Sequence, residues 1–180
     1  GPDHPTDIDL YSDNPADSRS VRATLQQLDE PLTLSKRVPI LENFGFDVIS
    51  ERTFQLNPKL DGEARPVYLH DSELRLTNGG GAKLLARRAN LEDGFLAVWS
   101  DAAPNDRFNG LILAAGLNWR QAAVLRAYAS YYRQSSAPYS NTYVSQVLNR
   151  YANVAADLFA VFDAMFNPAN GLTVEERDAE

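Results

Sequence analysis

Apolar residues recur at every second position only before residue 80 of this chain, and beyond residue 81 they recur only at helical spacing. That division constrains the fold more than any other property. A strand presents alternate side chains to a core, whereas a helix presents every third or fourth. Residues 20–26 place Val21, Ala23 and Leu25 on one side. Residues 46–56 carry Phe46, Val48, Ile49, Phe54 and Leu56, and residues 66–76 carry Val67, Leu69, Leu74 and Leu76. The polar loop 57–65, with Pro58 and Gly62, joins these two longer runs as a hairpin. One helix precedes them at 36–44, with Val38, Leu41 and Phe44 on one face, Ser35 as its N-cap and Gly45 as its stop. Pro39 falls late for a first-turn proline, so this helix starts a little later or has a loose first turn.

Asn78 and the triplet Gly79-Gly80-Gly81 then make a flexible break. Helices are expected at 83–100, with Leu84, Leu85, Leu91, Phe95, Val98 and Trp99 as the apolar set, and at 107–115, ended by Gly116. Asn118 caps a longer helix through 134, Ser140 caps one to about 150, and Asn153 opens the last, to Phe166. The fold class is therefore α+β: a small antiparallel sheet with helices, then an all-helical subdomain, with a joint near residue 80. The order strand, helix, strand, strand, helix is most of a ferredoxin-like βαββαβ unit. Its last strand is missing, and such a sheet leaves an open edge that seeks a cover or a partner.

The chain has 180 residues, enough for one or two domains with a real core. Its net charge of −7 sits at the ends. Five aspartates fall within residues 1–19 and four acids within 171–180, while the span between has as many bases as acids. Residues 1–19 thus read as an acidic linker or tag remnant, and 169–180 as an acidic tail. A neutral middle without a basic stripe argues against nucleic-acid binding. With no cysteine and only His4 and His70, disulfides and thiolate chemistry are excluded, and little is left for zinc or a Ser–His dyad. No catalytic, cofactor-binding or metal-ligating residue is assigned. No apolar run approaches the length of a membrane span and no signal peptide is visible, so a cytoplasmic location without membrane or nucleic-acid partners is expected. The opening Gly1-Pro2 resembles a protease scar, and the native protein is expected to extend past both ends.

Three features invite a functional reading. His70-Asp71 could pair a base with its orienting acid, but adjacent strand residues point to opposite faces, which favours a structural role. The glycine triplet before a helix lacks the GxGxxG spacing and the Lys-Ser/Thr of a phosphate loop. Arg120, Arg126 and Arg133 share a helix with Trp119, Tyr128, Tyr131 and Tyr132. Arg120, Arg126, Tyr128, Tyr132 and Arg133 form a candidate docking surface of stacked Arg and Tyr. The plainer alternative is an inter-helix core with snorkelling tips.

From about residue 38 to 168 the chain also resembles the large bacterial NAD-specific glutamate dehydrogenases. The resemblance is carried by Leu41-Glu42-Asn43-Phe44-Gly45-Phe46-Asp47-Val48-Ile49 with Glu51-Arg52, then His70-Asp71, Phe95-Leu96-Ala97-Val98-Trp99 and Asn105-Asp106-Arg107-Phe108-Asn109. Leu113-Ala114-Ala115-Gly116-Leu117, Trp119-Arg120, Leu125-Arg126-Ala127-Tyr128 and Arg133-Gln134 complete it. It implies ACT-like modules and helices N-terminal to a catalytic domain, in an enzyme that converts L-glutamate to 2-oxoglutarate and ammonia with NAD. It implies an ACT-like α+β part at 20–80, with its second helix at about 82–100, a helical subdomain at 101–168, and a homo-oligomeric parent. The family's catalytic lysine and Rossmann domain have no counterpart in this sequence, so this piece alone is expected to be inactive and without cofactor. ACT domains hold amino acids near the first strand–helix loop, which makes Glu30, Pro31, Leu32 and Thr33 a possible effector loop. That loop lacks the glycine that usually lets a ligand reach the backbone. The expected role is regulatory or structural, with other domains or subunits of the parent as partners. A free-standing amino-acid sensor or interaction module is the alternative, and the flanking reading frame would separate the two.

Overall fold

The computed structural model describes residues 6–12, 19–60, 63–135 and 138–170. Strands β1 (Thr6–Tyr11), β2 (Ser20–Leu28), β3 (Phe46–Leu56) and β6 (Val67–Leu76) form one antiparallel sheet in the order β1-β2-β6-β3. The short strands β4 (Lys59–Leu60) and β5 (Glu63–Ala64) pair within the loop that joins β3 to β6. Three of the long strands are the runs that alternation predicts. The first is a correction. Residues 6–11, read as part of an acidic linker, are a strand, and the sheet has its fourth member. A strand from the N-terminal side stands where a C-terminal one would complete the βαββαβ unit. Asp7 and Asp9 dominate the local composition, yet Ile8 and Leu10, which alternate with them, are buried at 5% and 1% exposure. The acids face outward and the aliphatics face the core. The rest of the expected leader, 1–5 and 13–18, and the acidic tail from 171 lie outside the described residues.

Helices α1 (Leu34–Asn43) and α2 (Gly81–Trp99) cover one face of the sheet. α2 also closes the β1 edge. The Leu10 N–H donates to Glu92 Oε1 at 2.9 Å, and Arg88 bridges Glu92 and Asp9. An edge amide that would otherwise invite another strand is thereby satisfied. Two starts differ from expectation. α1 begins at Leu34 with Thr33 in the N-cap position, so Ser35 is inside the helix rather than capping it. Gly80 is the N-cap of α2 and Gly81 its first residue, so the glycine triplet leads directly into a helix rather than breaking the chain.

A 3-10 turn, Arg107–Asn109, leads into α3 (Gly110–Ala115), and Gly116 ends α3 at φ 79°. α4 (Trp119–Gln134) opens with a capping box: the Gln121 N–H donates to Asn118 Oδ1 at 2.9 Å, and the Asn118 N–H to Gln121 Oε1 at 2.8 Å. Ser140 caps α5 (Asn141–Arg150), and α6 (Ala152–Phe166) follows after one residue. α3 sits between two cores. Ile112 and Leu113 pack with Phe44, Leu91 and Phe95 beneath the sheet, while Leu111 packs with Phe108, Leu117, Leu125 and Ala155 among the helices. At Gly94 an added Cβ would lie 2.7 Å from Ile112 Cδ1, so only glycine lets α2 and α3 approach this closely.

Candidate functional site

The loop Glu30–Thr33 lies between β2 and α1. Glu30, Pro31 and Thr33 are exposed, but Leu32 is turned into the core. The Leu32 N–H donates to His70 Nε2 at 3.1 Å. The preceding Asp29 adopts φ 69°, donates its N–H to Pro66 O at 2.9 Å and pairs through its carboxylate with Arg65. The loop is therefore tied to β6 and its flanking turn by these bonds, with the Leu32 side chain in the core.

Behind it lies a buried polar network that the sequence did not disclose. The pairing of β3 with β6 slips between Val48 and Ser50, which makes Ile49 the extra residue of a bulge. Before the bulge Phe46 and Val48 face the helices. After it Glu51 and Thr53 do, opposite Ser72 and His70. A bulge re-aims every later side chain on its strand, and here it turns a carboxylate inward. Glu51 Oε1 accepts from Arg37 Nη2 at 2.6 Å, with the Arg37 side chain 1% exposed. His70 Nδ1 lies 2.9 Å from Thr53 Oγ1 and 3.6 Å from Glu51. Because the Leu32 N–H must donate to Nε2, the ring proton is on Nδ1. Burial and the Arg37 charge lower the His70 pKa, and burial also lowers that of Arg37 against the pull of Glu51. The result is an ion pair beside a neutral imidazole, arranged to hold α1 on the sheet. Asp71 points to the opposite face and pairs with Arg22, so His70 and Asp71 do not act together. Among the described residues no group of His, Asp and Glu could hold a metal ion, and no helix is long and apolar enough to cross a membrane.

The structure separates the members of the Arg/Tyr helix. Arg126 is drawn inward, with its Nε and Nη2 on both carboxylate oxygens of Asp106, at 2.7 and 2.9 Å, and Nη2 also on Asn109 Oδ1 at 2.8 Å. Arg120 lies over the Trp119 ring at 4.2 Å. Tyr128 meets the Phe162 ring edge-on at 5.9 Å, and Tyr132 and Arg133 are exposed. Tyr128, Tyr131, Val124, Ala127 and Phe162 line an apolar groove of about 290 Å³ between α4 and α6.

A second apolar surface is on α6. Val154, Leu158, Val161 and Met165 are 43, 49, 57 and 41% exposed, and Phe166 beyond them is 54% exposed. Their spacing of four, three and four is that of a helix seam that packs against another helix. Only Ala155 of α6 is fully buried. The stripe was not singled out from sequence because α6 is apolar on nearly all sides, and such a helix gives no sign of which face is inward.

Two family models match this chain. One, glutamate dehydrogenase ACT3 domain, covers residues 5–87, and the other, glutamate dehydrogenase helical motif 3, covers 103–168. The chain is 32% identical over 172 residues to an NAD-specific glutamate dehydrogenase of Pseudomonas aeruginosa, a match that takes in 96% of this chain and 10% of that protein. It is 30% identical over 165 residues to the protein of the same name from Halomonas elongata, taking in 92% of this chain and 10% of that one. With the one from Mycobacterium tuberculosis it shares 34% over 153 residues, 82% of this chain and 9% of that protein. The chain thus spans about one tenth of the length of the curated relatives it matches.

Proposed function

Because this chain belongs to the family of NAD-specific glutamate dehydrogenases, carrying their ACT3 domain and helical motif 3, we propose that it is a non-catalytic segment through which such an enzyme is assembled. The parent would oxidise L-glutamate to 2-oxoglutarate and ammonia with NAD, in the cytoplasm and as an oligomer, with its chemistry in domains outside this segment. The division into an ACT-like part, now including β1, and a helical part belongs to the same reading. It is supported by family matches that stop at residue 87 and resume at 103.

The exposed stripe on α6 carries the proposal. Four aliphatic side chains at seam spacing, with the Tyr128–Phe162 groove beside them, form an apolar patch of the kind that marks an interface. The occupant we assign is another domain of the same polypeptide. Nine tenths of each relative's length lies outside the matched region, and an uncharged aliphatic seam suits a permanent contact rather than a transient one. The loop at Glu30–Thr33 has a structural part in this reading, since Leu32 is buried in the core and its N–H is held by His70.

The test is the pair Leu158→Glu and Val161→Glu. In the isolated chain these exposed positions should change stability by less than about 0.5 kcal/mol, as surface substitutions usually do. In the full-length enzyme they should disrupt the native oligomer or its activity. Normal assembly and activity of the doubly substituted enzyme would refute the docking role. Concentration-dependent dimers of the isolated chain, lost on substitution, would assign the face to a second copy instead.

A further inference from the structure

At the end of the sheet away from the Glu30–Thr33 loop, a cleft of about 790 Å³ opens where the ACT-like part meets the helices. Its walls come from the end of α1, the start of β3, the turn before α2, α3 and α5. Three cations line it: Lys83 on α2, Arg107 in the 3-10 turn and Arg150 at the end of α5. None of the three has a carboxylate within 4 Å among the described residues, whereas Arg22, Arg37, Arg65, Arg88 and Arg126 all do. Two acids, Glu42 and Asp47, also line the cleft, and among the described residues neither has a cation within 4 Å.

The inner wall is built rather than incidental. Gly79 holds φ 88°, and an added Cβ there would lie 2.9 Å from Lys83 Cδ, so the glycine lets the lysine stem lie flat against the turn. Lys83 is partly buried, and burial and the nearby Arg87 lower its pKa. Asn149 fixes the other wall. Its Nδ2 donates to Arg107 O at 2.9 Å and to Ser145 O at 2.8 Å, while its Oδ1 sits where a Cβ on Gly110 would be, 2.6 Å away. The first turn of α2 contains no acid to offset its positive end. A partly buried cation without a counter-ion is costly, and an anion in the cleft would relieve that cost. The volume falls in the range of small-molecule sites, about 300–1,000 Å³.

We propose that this cleft binds a small dianion bearing phosphate or carboxylate groups, held by Lys83, Arg107 and Arg150. The ligand would touch both the sheet part and the helical part, and so would stiffen the one against the other. The docking face lies on a different part of α6, so failure of the assembly reading would leave this site standing.

The experiment titrates the 180-residue chain with inorganic phosphate and, separately, with succinate, following backbone amide resonances by heteronuclear NMR. Saturable shifts are expected at residues around Lys83, Gly110 and Asn149 with at least one probe. Lys83→Met and Arg150→Gln should each weaken binding at least fivefold, and Arg133→Gln, outside the cleft, should leave it unchanged. Saturation by phosphate alone identifies a phosphate-bearing ligand, and by succinate alone a dicarboxylate. Should Lys83→Met fail to fold, the exposed pair Arg107→Gln and Arg150→Gln carries the same expectation. Absence of saturable shifts with both probes, or shifts that persist unchanged in the charge-neutralised variants, would overturn the site.

Discussion

Arg126 and Arg133 lie two helical turns apart on α4, and their surroundings make them opposites. Arg126 binds Asp106 through two nitrogens and reaches Asn109 as well, which ties α4 to the 3-10 turn before α3. Hydrogen bonds between charged groups contribute about 1.5–3 kcal/mol, and water can partly replace this one because Asp106 is 37% exposed. Arg126→Ala should therefore cost about 2 kcal/mol, which for a chain of this size lowers the thermal midpoint by about 4–8 °C. Arg133→Ala should move it by no more than about 2 °C. Thermal unfolding followed by circular dichroism checks both, and equal effects would contradict the assignment of roles. His70 gives a pH signature. Its folded pKa lies below the unfolded value, so the unfolded chain binds the proton more readily. Its contribution is present above the unfolded pKa of about 6.5 and is lost as pH falls from there towards the folded value. Protonation also removes the acceptor for the Leu32 N–H. Urea unfolding at pH 7.5 and 5.5 should show lower stability at 5.5, with the difference reduced in His70→Gln, which retains an acceptor. An unchanged difference in the variant would place the pH dependence elsewhere.

At the scale of elements, what was legible was alternation and caps. Phe46–Leu56 and Val67–Leu76 were readable because their apolar residues are many and regularly spaced. Asn118 and Ser140 were readable because side-chain caps are local chemistry. β1 was not, because two aspartates in six residues outweighed the alternation of Ile8 and Leu10, and only the sheet edge supplied by β2 makes them core. The bulge at Ile49 left no composition signal, so the inward turn of Glu51 and the network with Arg37 and His70 stayed hidden. The stripe on α6 stayed hidden because the helix is apolar on nearly all sides. β1 also changes where a stable core should begin. Ile8 and Leu10 each contribute about 1.5–3 kcal/mol by burial, and Leu10 anchors the Glu92 contact. A chain starting at residue 20 should lose cooperative unfolding or aggregate through the uncovered β2 edge. A thermal midpoint within about 2 °C of the full chain would show that β1 is dispensable.

On the scale of the whole molecule, two hydrophobic cores meet at α3, so the sheet part and the helical part share a buried helix. A joint near residue 80, expected from the glycines, would fall at the start of α2, which packs on both β1 and α3. α2 runs from that triplet across the sheet and onto α3. The exposed apolar seam lies on α6. For a segment about one tenth the length of its relatives, an exposed apolar seam on α6 supports the proposed docking of another domain of the same polypeptide. Hydrogen–deuterium exchange across residues 152–166 tests this most directly, measured in the isolated chain and in the full-length enzyme. We predict that α6 exchanges rapidly in the isolated chain and is protected at least tenfold in the full-length enzyme, at every protein concentration. Equal exchange of α6 in the two would contradict the account.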